Sequence, residues 1–370
     1  MKIESSNIVK PTLILDKKRV LENIEKMAAK ARRNGVRFRP HFKTHQSAQV
    51  GEWYRQFDVN AITVSSVSMA AYFAENGWDD ITIAFTVNLL EIAQINRLAN
   101  QINLNLLVES KETVQFLGDH LQTGVNVWIK IDVGTGRTGI PASNHEAVVK
   151  LADEIANSTY LSFKGLLTHA GHTYDAKSKD DVVNSTIQSI LAMNQVRNEL
   201  KEKFDNVEIS IGDTPGCSII DDFGDVDEIR PGNFVFYDVM QLGIGSCLEE
   251  EIAVALACPV VAKHPNRNEI ILYCGAVHLS KDYIFDNENK IFGRICTPNE
   301  KGWGQIVANT TVAGLSQEHG TVKTDSHFFN QINIGDTLYV LPVHSCLTAN
   351  LLGGYTTLEG ERISMGRFFP

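Results

Sequence analysis

The stretch "VRFRPHFKTHQS", Val36 to Ser47, sets Lys43 between His41 and His45, with Arg39 just upstream. Arg39, His41, Lys43 and His45 alternate with Phe38, Pro40, Phe42 and Thr44. That is the period of a strand, and it would gather four basic groups on one face. Cationic neighbours push a lysine amine toward its neutral form, which imine chemistry on a carbonyl requires. Lys43 is therefore the candidate Schiff-base lysine.

Other segments could complete a site. "GDTPGCS", Gly212 to Ser218, offers the Thr214 hydroxyl and glycine amides opening a short helix, and "RPGN", Arg230 to Asn233, adds more amides. Such loops bind anions through backbone N–H groups; the plainer reading is a pair of Pro-Gly turns. In "LPVHSCLTANL", His344 and Cys346 form H-x-C, a spacing that would point both side chains to one face of a strand, as two metal ligands require. Two protein ligands leave positions for water and substrate, and a thiolate with an imidazole favours zinc over magnesium or manganese. "HAGH" (His169, His172) imitates a metal pair, but its place at the end of the sixth strand suits cofactor contact better. Gly134, Gly136 and Gly139 in "DVGTGRTGI" spell G-x-G-x-x-G, yet Pro141 interrupts the following helix and the next strand ends without an acid. A dinucleotide site needs both, so Arg137 is the informative residue there.

These residues need a frame to converge. The spacing predicts a helix over Asp16 to Asn34, with a Leu21/Ile24/Met27/Ala28 stripe and Gly35 as terminator. Strand-like runs follow from the Lys43 segment through "AITVSS", "ITIAF", "NLNLLVES", "NVWIKIDV", "LSFKGLLTHA", "EISIGDT" and "DEIR", with helical patterns between nearly all of them, such as Ser143 to Asn157 and Ser178 to Phe204. Eight strands over about 200 residues is the scale of a (β/α)₈ barrel, whose chemistry sits at strand C-termini. Lys43, Arg137, His169 to Tyr174, "GDTPGCS" and "RPGN" all fall at such ends. After about Gly245 the pattern turns to antiparallel strands and polar turns: "EIAVALACPVVAKH", "NEIILYCGAVHL", "GQIVANTTVAGL" and "GDTLYVLPVHSC". The expected organisation is an α/β barrel over residues 11–245 and a smaller β domain over 246–370, with residues 1–15 packing on the latter.

Composition narrows the function. A net charge of −10 argues against a nucleic-acid partner, which needs clustered Lys and Arg. The amino-terminal "MKIESSNIVK" has no apolar signal core, and no apolar run reaches membrane-spanning length. The six cysteines occur singly and read as reduced thiols, so a cytoplasmic location is expected.

Taken together, "RPHFKTH", "KIDVGTGRTGI", "GLLTHAGHTY", "GDTPGCS", "EIRPGNFVFYD", "LSQEHG" and "PVHSC" resemble, in order and over nearly the whole length, the D-serine dehydratase and D-threonine aldolase group of fold-type III pyridoxal-phosphate enzymes, related to alanine racemase. The resemblance implies that Lys43 holds pyridoxal 5'-phosphate, that Arg137, His169 and Tyr174 contact it, and that Thr214, Gly232 and Asn233 form its phosphate site. It implies that His344 and Cys346 bind the metal. A thiol at Cys346 is similar to the zinc-binding dehydratases, whereas the aldolases usually carry Asp there with manganese or magnesium. Val343 departs from the asparagine usual before the histidine. The implied reaction converts D-serine, or a related D-β-hydroxy amino acid, to a 2-keto acid and ammonia in a homodimer. The alternatives are a metal-dependent D-threonine aldolase, an amino-acid racemase, which would need a second base, and a non-catalytic pyridoxal-phosphate carrier, expected as a lone barrel.

Overall fold

The computed structural model describes residues 8–300, 302–366 and 368. The chain divides into two compact units, one drawn from Glu25–Lys43, Gly51–Gly232 and Phe368–Pro370, the other from Met1–Ile24, Thr44–Val50 and Asn233–Arg367.

In the first unit eight strands lie side by side in the order Arg37–Phe38, Glu228–Ile229, Glu208–Ile211, Leu161–Leu167, Val125–Asp132, Asn103–Val108, Asp80–Thr86 and Ile62–Val64, every neighbouring pair parallel. The ends of the row meet at a parallel bridge between His41 and Thr63, where Phe42 N donates to Thr63 O at 2.8 Å. The barrel is thereby closed. Ser66, Ser110, Asn144 and Ser178 start four of the helices, each accepting an amide from the first turn. Inside, Leu107, Trp128 and Leu167 come from three neighbouring strands and are almost fully buried. Each leucine so placed contributes roughly 1.5–3 kcal/mol.

The alternation read along residues 36–47 gives less strand than expected. Only Arg37–Phe38 is regular; the chain then bridges at His41 and turns over Phe42–His45. The turn is anchored by Phe42, which is fully buried and packs on Tyr54, Phe73 and Trp78 with ring centroids 4.9, 5.0 and 5.1 Å away. Gly51 permits this, since a Cβ there would stand 3.1 Å from the Phe42 ring. With Phe42 driven inward, Lys43 faces outward and is exposed.

The helix Lys17–Arg33 forms where expected, capped by Asp16, whose carboxylate accepts from the Lys18 and Arg19 amides at 3.0 and 3.2 Å, and ended by Gly35 at φ +66°. Its buried stripe runs through Val20, Ile24, Met27, Ala28 and Ala31; Leu21 is only half-buried.

The second unit holds a nine-stranded sheet in the order Glu269–Tyr273, His319–Lys323, Gly302–Leu315, Gly293–Asn299, Thr337–Pro342, Val254–His264, Thr12–Leu15, Gly354–Thr357 and Arg362–Ser364. Glu269–Tyr273 also pairs with Val254–His264, so six of these strands form a ring. Pairing is antiparallel except between Thr12–Leu15 and Gly354–Thr357. Two expectations are corrected here. "CGAVHL" is not strand: Ala276–Leu279 is a helical turn. Nor does H-x-C lie on a strand. The buried strand Thr337–Pro342 stops at Pro342, which has no amide to extend the ladder; His344 then caps the helix Ser345–Leu352 and Cys346 sits in its first turn.

Candidate active site

At the C-terminal end of the barrel the loops gather around His169. Its Nδ1–H donates to Gly212 O, which fixes the tautomer and leaves Nε2 free of that proton. Burial, with Lys43, Arg137 and Lys130 all adding positive charge nearby, lowers its pKa to about 3, although the Gly212 hydrogen bond pulls the other way. The ring is therefore a neutral imidazole at physiological pH. Lys43 and Arg137, distant in sequence, thus lie within electrostatic range of one histidine. The Tyr174 ring is 6.1 Å from that of His169, and its hydroxyl accepts from Thr214 N at 3.3 Å. Asp213 ties the same loop down, accepting from Gly216 N at 2.6 Å and Thr173 Oγ1 at 2.9 Å. His41 N donates to Pro231 O at 2.9 Å, which holds the Lys43 turn beside the segment that carries Gly232.

One observation here calls for a ligand. Thr214 Oγ1 is buried and meets no hydrogen-bond partner, an arrangement that costs about 1–3 kcal/mol unless something accepts from it or donates to it. A phosphate oxygen would do so. The residues present therefore fit pyridoxal phosphate: an exposed lysine for its aldehyde, a neutral imidazole, an arginine, and an unsatisfied hydroxyl for its phosphate.

The clustering of cations around Lys43 is not what the alternation suggested. Arg39 is turned to Glu228 Oε2 at 2.7 Å and Asp80 Oδ1 at 2.6 Å. Burial alone would lower its pKa, but the two carboxylates raise it overall, and they neutralise its charge. His45 is fully buried, and burial lowers it to about 3, so it carries no charge. The barrel instead supplies Lys130, which sequence reading passed over as an ordinary strand residue. Burial, Arg230 and Arg137 together lower Lys130 to about 7. Arg230 is itself locked in place, donating from Nε to Ser210 Oγ at 2.6 Å and from Nη2 to Thr168 O at 2.5 Å.

The second unit brings His344 and Cys346 together. The two side chains lie within electrostatic range of each other, and His344 Nδ1 lies 2.7 Å from Asp282 Oδ2. Burial lowers the His344 pKa, but Cys346, Asp238 and Asp282 outweigh it and hold the ring up at about 10 in the absence of a metal. The sulfur has two further neighbours: Thr44 Oγ1 at 3.2 Å and Asn233 Nδ2, which donates at 3.5 Å. Hydrogen bonds of this kind stabilise a thiolate, the form that binds metal. Five of the cysteines are buried, and Cys346 alone is partly accessible. Behind the pair, Asp238 accepts from Asn233 Nδ2 at 2.6 Å, Ser345 N at 3.0 Å and Gln241 N at 2.9 Å.

Of the phosphate-site candidates, Asn233 turns its side-chain Nδ2 this way, toward Asp238, Ser345 and Cys346. Among the described residues no group of three or more His, Cys, Asp or Glu is placed to hold a metal. A soft sulfur with one imidazole nitrogen fits zinc, with the remaining positions open. The G-x-G-x-x-G segment is a loop folded on Asp132, whose carboxylate accepts from Gly134, Thr135 and Gly136, and no helix begins before His145. No helix among the described residues is long and apolar enough to cross a membrane.

Comparison with known proteins gives a consistent picture. The alanine racemase N-terminal domain model matches residues 15–239, and a serine dehydratase domain model matches 253–358. A D-serine dehydratase of Dictyostelium discoideum is 28% identical over 99% of this chain and 97% of its own. The solved D-threo-3-hydroxyaspartate dehydratase from Delftia sp. HT23 superposes with a TM-score of 0.90 at 23% identity, covering 98% of both chains. A cysteine-to-alanine form of that enzyme, described as metal-free, matches equally well, with a TM-score of 0.90 at 23% identity over 98% of this chain and 99% of that one. D-threonine aldolase from Filomicrobium marinum has a TM-score of 0.84 at 18% identity, over 97% of this chain and 95% of that one.

Proposed function

From a chain that belongs to the alanine racemase N-terminal domain family and continues into a serine dehydratase domain, we propose a pyridoxal-phosphate-dependent lyase that removes water from D-serine or a related D-β-hydroxy amino acid. The products are a 2-keto acid and ammonia, and zinc assists. The named relatives support the lyase class and the D-hydroxy amino acid substrates. The observation that carries the dehydratase reading is the Cys346 sulfur, close to His344 and flanked by Thr44 and Asn233, because a thiolate–imidazole pair selects zinc over harder ions.

Each residue then has a task. Lys43 anchors the cofactor and its amine, once free, accepts the substrate's Cα proton. His169, neutral and with its tautomer set by Gly212, would face the cofactor ring. Arg137 and Tyr174 would contact the cofactor, while Thr214 and the amides of Gly232 and Asn233 would hold its phosphate. Pyridoxal phosphate, when bound, supplies an electron-withdrawing ring that spreads the charge left at Cα. Zinc, when held by His344 and Cys346, supplies Lewis acidity to the departing β-hydroxyl. The resemblance to the D-hydroxy amino acid enzymes would put Lys43 on the face that meets the D-isomer's Cα proton, so D-isomers are the expected substrates. A homodimer is expected, and light scattering measures it directly.

Retro-aldol cleavage is the second reading, since D-threonine aldolase is also among the relatives. Product analysis separates the two. Incubation with D-serine and D-threonine is expected to yield keto acid and ammonia, and loss of that yield on chelation would agree. Glycine plus an aldehyde as the main products would replace the dehydratase assignment.

A further inference from the structure

We propose that Asp282 is a positioning residue that sets His344 to ligate through Nε2, an inference resting on the assignment of His344 and Cys346 as the metal pair. The residue lies outside every motif read from the sequence, in the segment between the Ala276–Leu279 turn and the hairpin Ile284–Asp286/Asn289–Ile291. Its Oδ2 sits 2.7 Å from His344 Nδ1. A ring nitrogen facing a carboxylate at that distance carries the proton and cannot bind a metal. The other nitrogen is left as the donor, and the hydrogen bond fixes the ring's rotation as well as its tautomer.

The segment is built to hold the carboxylate still. Ser280 takes φ +68°, ψ −174°, a conformation that a non-glycine residue adopts at a cost of about 1–3 kcal/mol, and its hydroxyl accepts from Asp282 N at 3.1 Å. On the other side Tyr283 packs edge-on against Phe285 and Phe292, with centroids 5.5 and 6.3 Å away, and Lys290 Nζ lies 4.2 Å over its ring. These aromatic contacts, on a hairpin with an otherwise exposed Phe285, clamp the residue next to Asp282. The backbone on both sides of this half-exposed aspartate is thus tied down, by Ser280 before it and by Tyr283 after it.

The test is zinc affinity of the pyridoxal-phosphate-loaded protein, measured by competition with a chromophoric chelator. Asp282→Ala is expected to weaken zinc binding by about 10–100-fold, and Asp282→Asn, which keeps a hydrogen-bond acceptor, by less. Both variants are expected to keep the visible absorption of the bound cofactor. In cobalt-substituted protein the sulfur-to-cobalt charge-transfer band is expected to persist in both, while the ligand-field bands of Asp282→Ala shift as the imidazole reorients. Zinc bound by Asp282→Ala as tightly as by the parent, with unshifted cobalt bands, would overturn the proposal. If Asp282→Ala loses the cofactor spectrum, Asp282→Asn decides alone, and unchanged affinity and bands in it overturn the proposal. Failure of the underlying metal reading looks different: His344→Ala would then bind zinc as tightly as the parent.

Discussion

Thr44 Oγ1 stands 3.2 Å from Cys346 Sγ, so the residue that follows Lys43 in sequence also touches the sulfur assigned to the metal. Thr44 is fully buried, and its side chain has no route to solvent as an alternative. Thr44→Val keeps the shape and removes the hydroxyl. A thiolate deprived of one hydrogen-bond partner is less stable by about 1 kcal/mol, so zinc affinity is predicted to fall roughly five-fold. Cofactor content should be unchanged, since the valine fills the same space. Chelator competition against the parent protein measures this, and equal affinity would mean that the contact does not act on the sulfur.

Lys43 is predicted to carry the cofactor covalently. Borohydride reduction followed by peptide mapping should leave the pyridoxyl label on the peptide containing Lys43, and a label elsewhere would remove the cofactor assignment. Lys43→Ala is expected to lower turnover of D-serine by at least about 10²–10⁴-fold, the usual worth of a positioned acid–base group. Equal turnover of L- and D-serine by the parent would contradict attack from one face.

Much of this was legible in the sequence, and the parts that were not have physical reasons. Long apolar runs such as "NVWIKIDV" mark strands buried on both faces, and the strand there, Val125–Asp132, lies within a residue of that reading. The opening segment misled because its alternation is real but serves two purposes. Arg39 is consumed by Glu228 and Asp80, 189 and 41 residues away, partners no local pattern reveals. The H-x-C spacing was read on a strand, where i and i+2 share a face, whereas here the chain turns at a helix start, with His344 as the cap and Cys346 in the first turn. Thr44 and Asp282 had no local signal, because they reach the pair across 302 and 62 residues.

Lys130 makes a pH prediction. Burial first, then Arg230 and Arg137, lower its pKa from 10.5 to about 7. Above the unfolded value the amine is neutral in both states and imposes no penalty. As pH falls from there toward the folded pKa, the unfolded chain binds the proton first, so folded stability is lost across that window and stays low below it. Cofactor-free protein should therefore become more stable as pH rises from about 7 to about 10, other groups held equal. Lys130→Met should flatten that slope and raise stability near neutral pH by a few kcal/mol, roughly. Urea midpoints of the two proteins along a pH series give the answer; parallel slopes would show that Lys130 is charged in the folded state.

In the proposed reaction the metal decides the chemistry, and the assignment of His344 and Cys346 as its ligands makes a sharp prediction. If zinc acts only on the departing hydroxyl, cofactor binding is independent of it. Removal of the metal by a chelator, or His344→Ala, or Cys346→Ala, should then leave the cofactor's absorption intact and abolish elimination from D-serine. The two single changes should cost similar rates, because a two-ligand site does not survive the loss of either member. The more discriminating variant is Cys346→Asp, which trades a soft donor for a hard one. Its activity is expected to be restored better by manganese or magnesium than by zinc, while the parent shows the reverse order. The Thr44 and Asn233 groups that now meet a sulfur would still find an acceptor in the new carboxylate, so the change tests the donor atom more than its surroundings. Normal pyruvate formation by both the chelated enzyme and Cys346→Ala would leave His344 and Cys346 as structural neighbours, and the dehydratase reading would lose the observation that carries it.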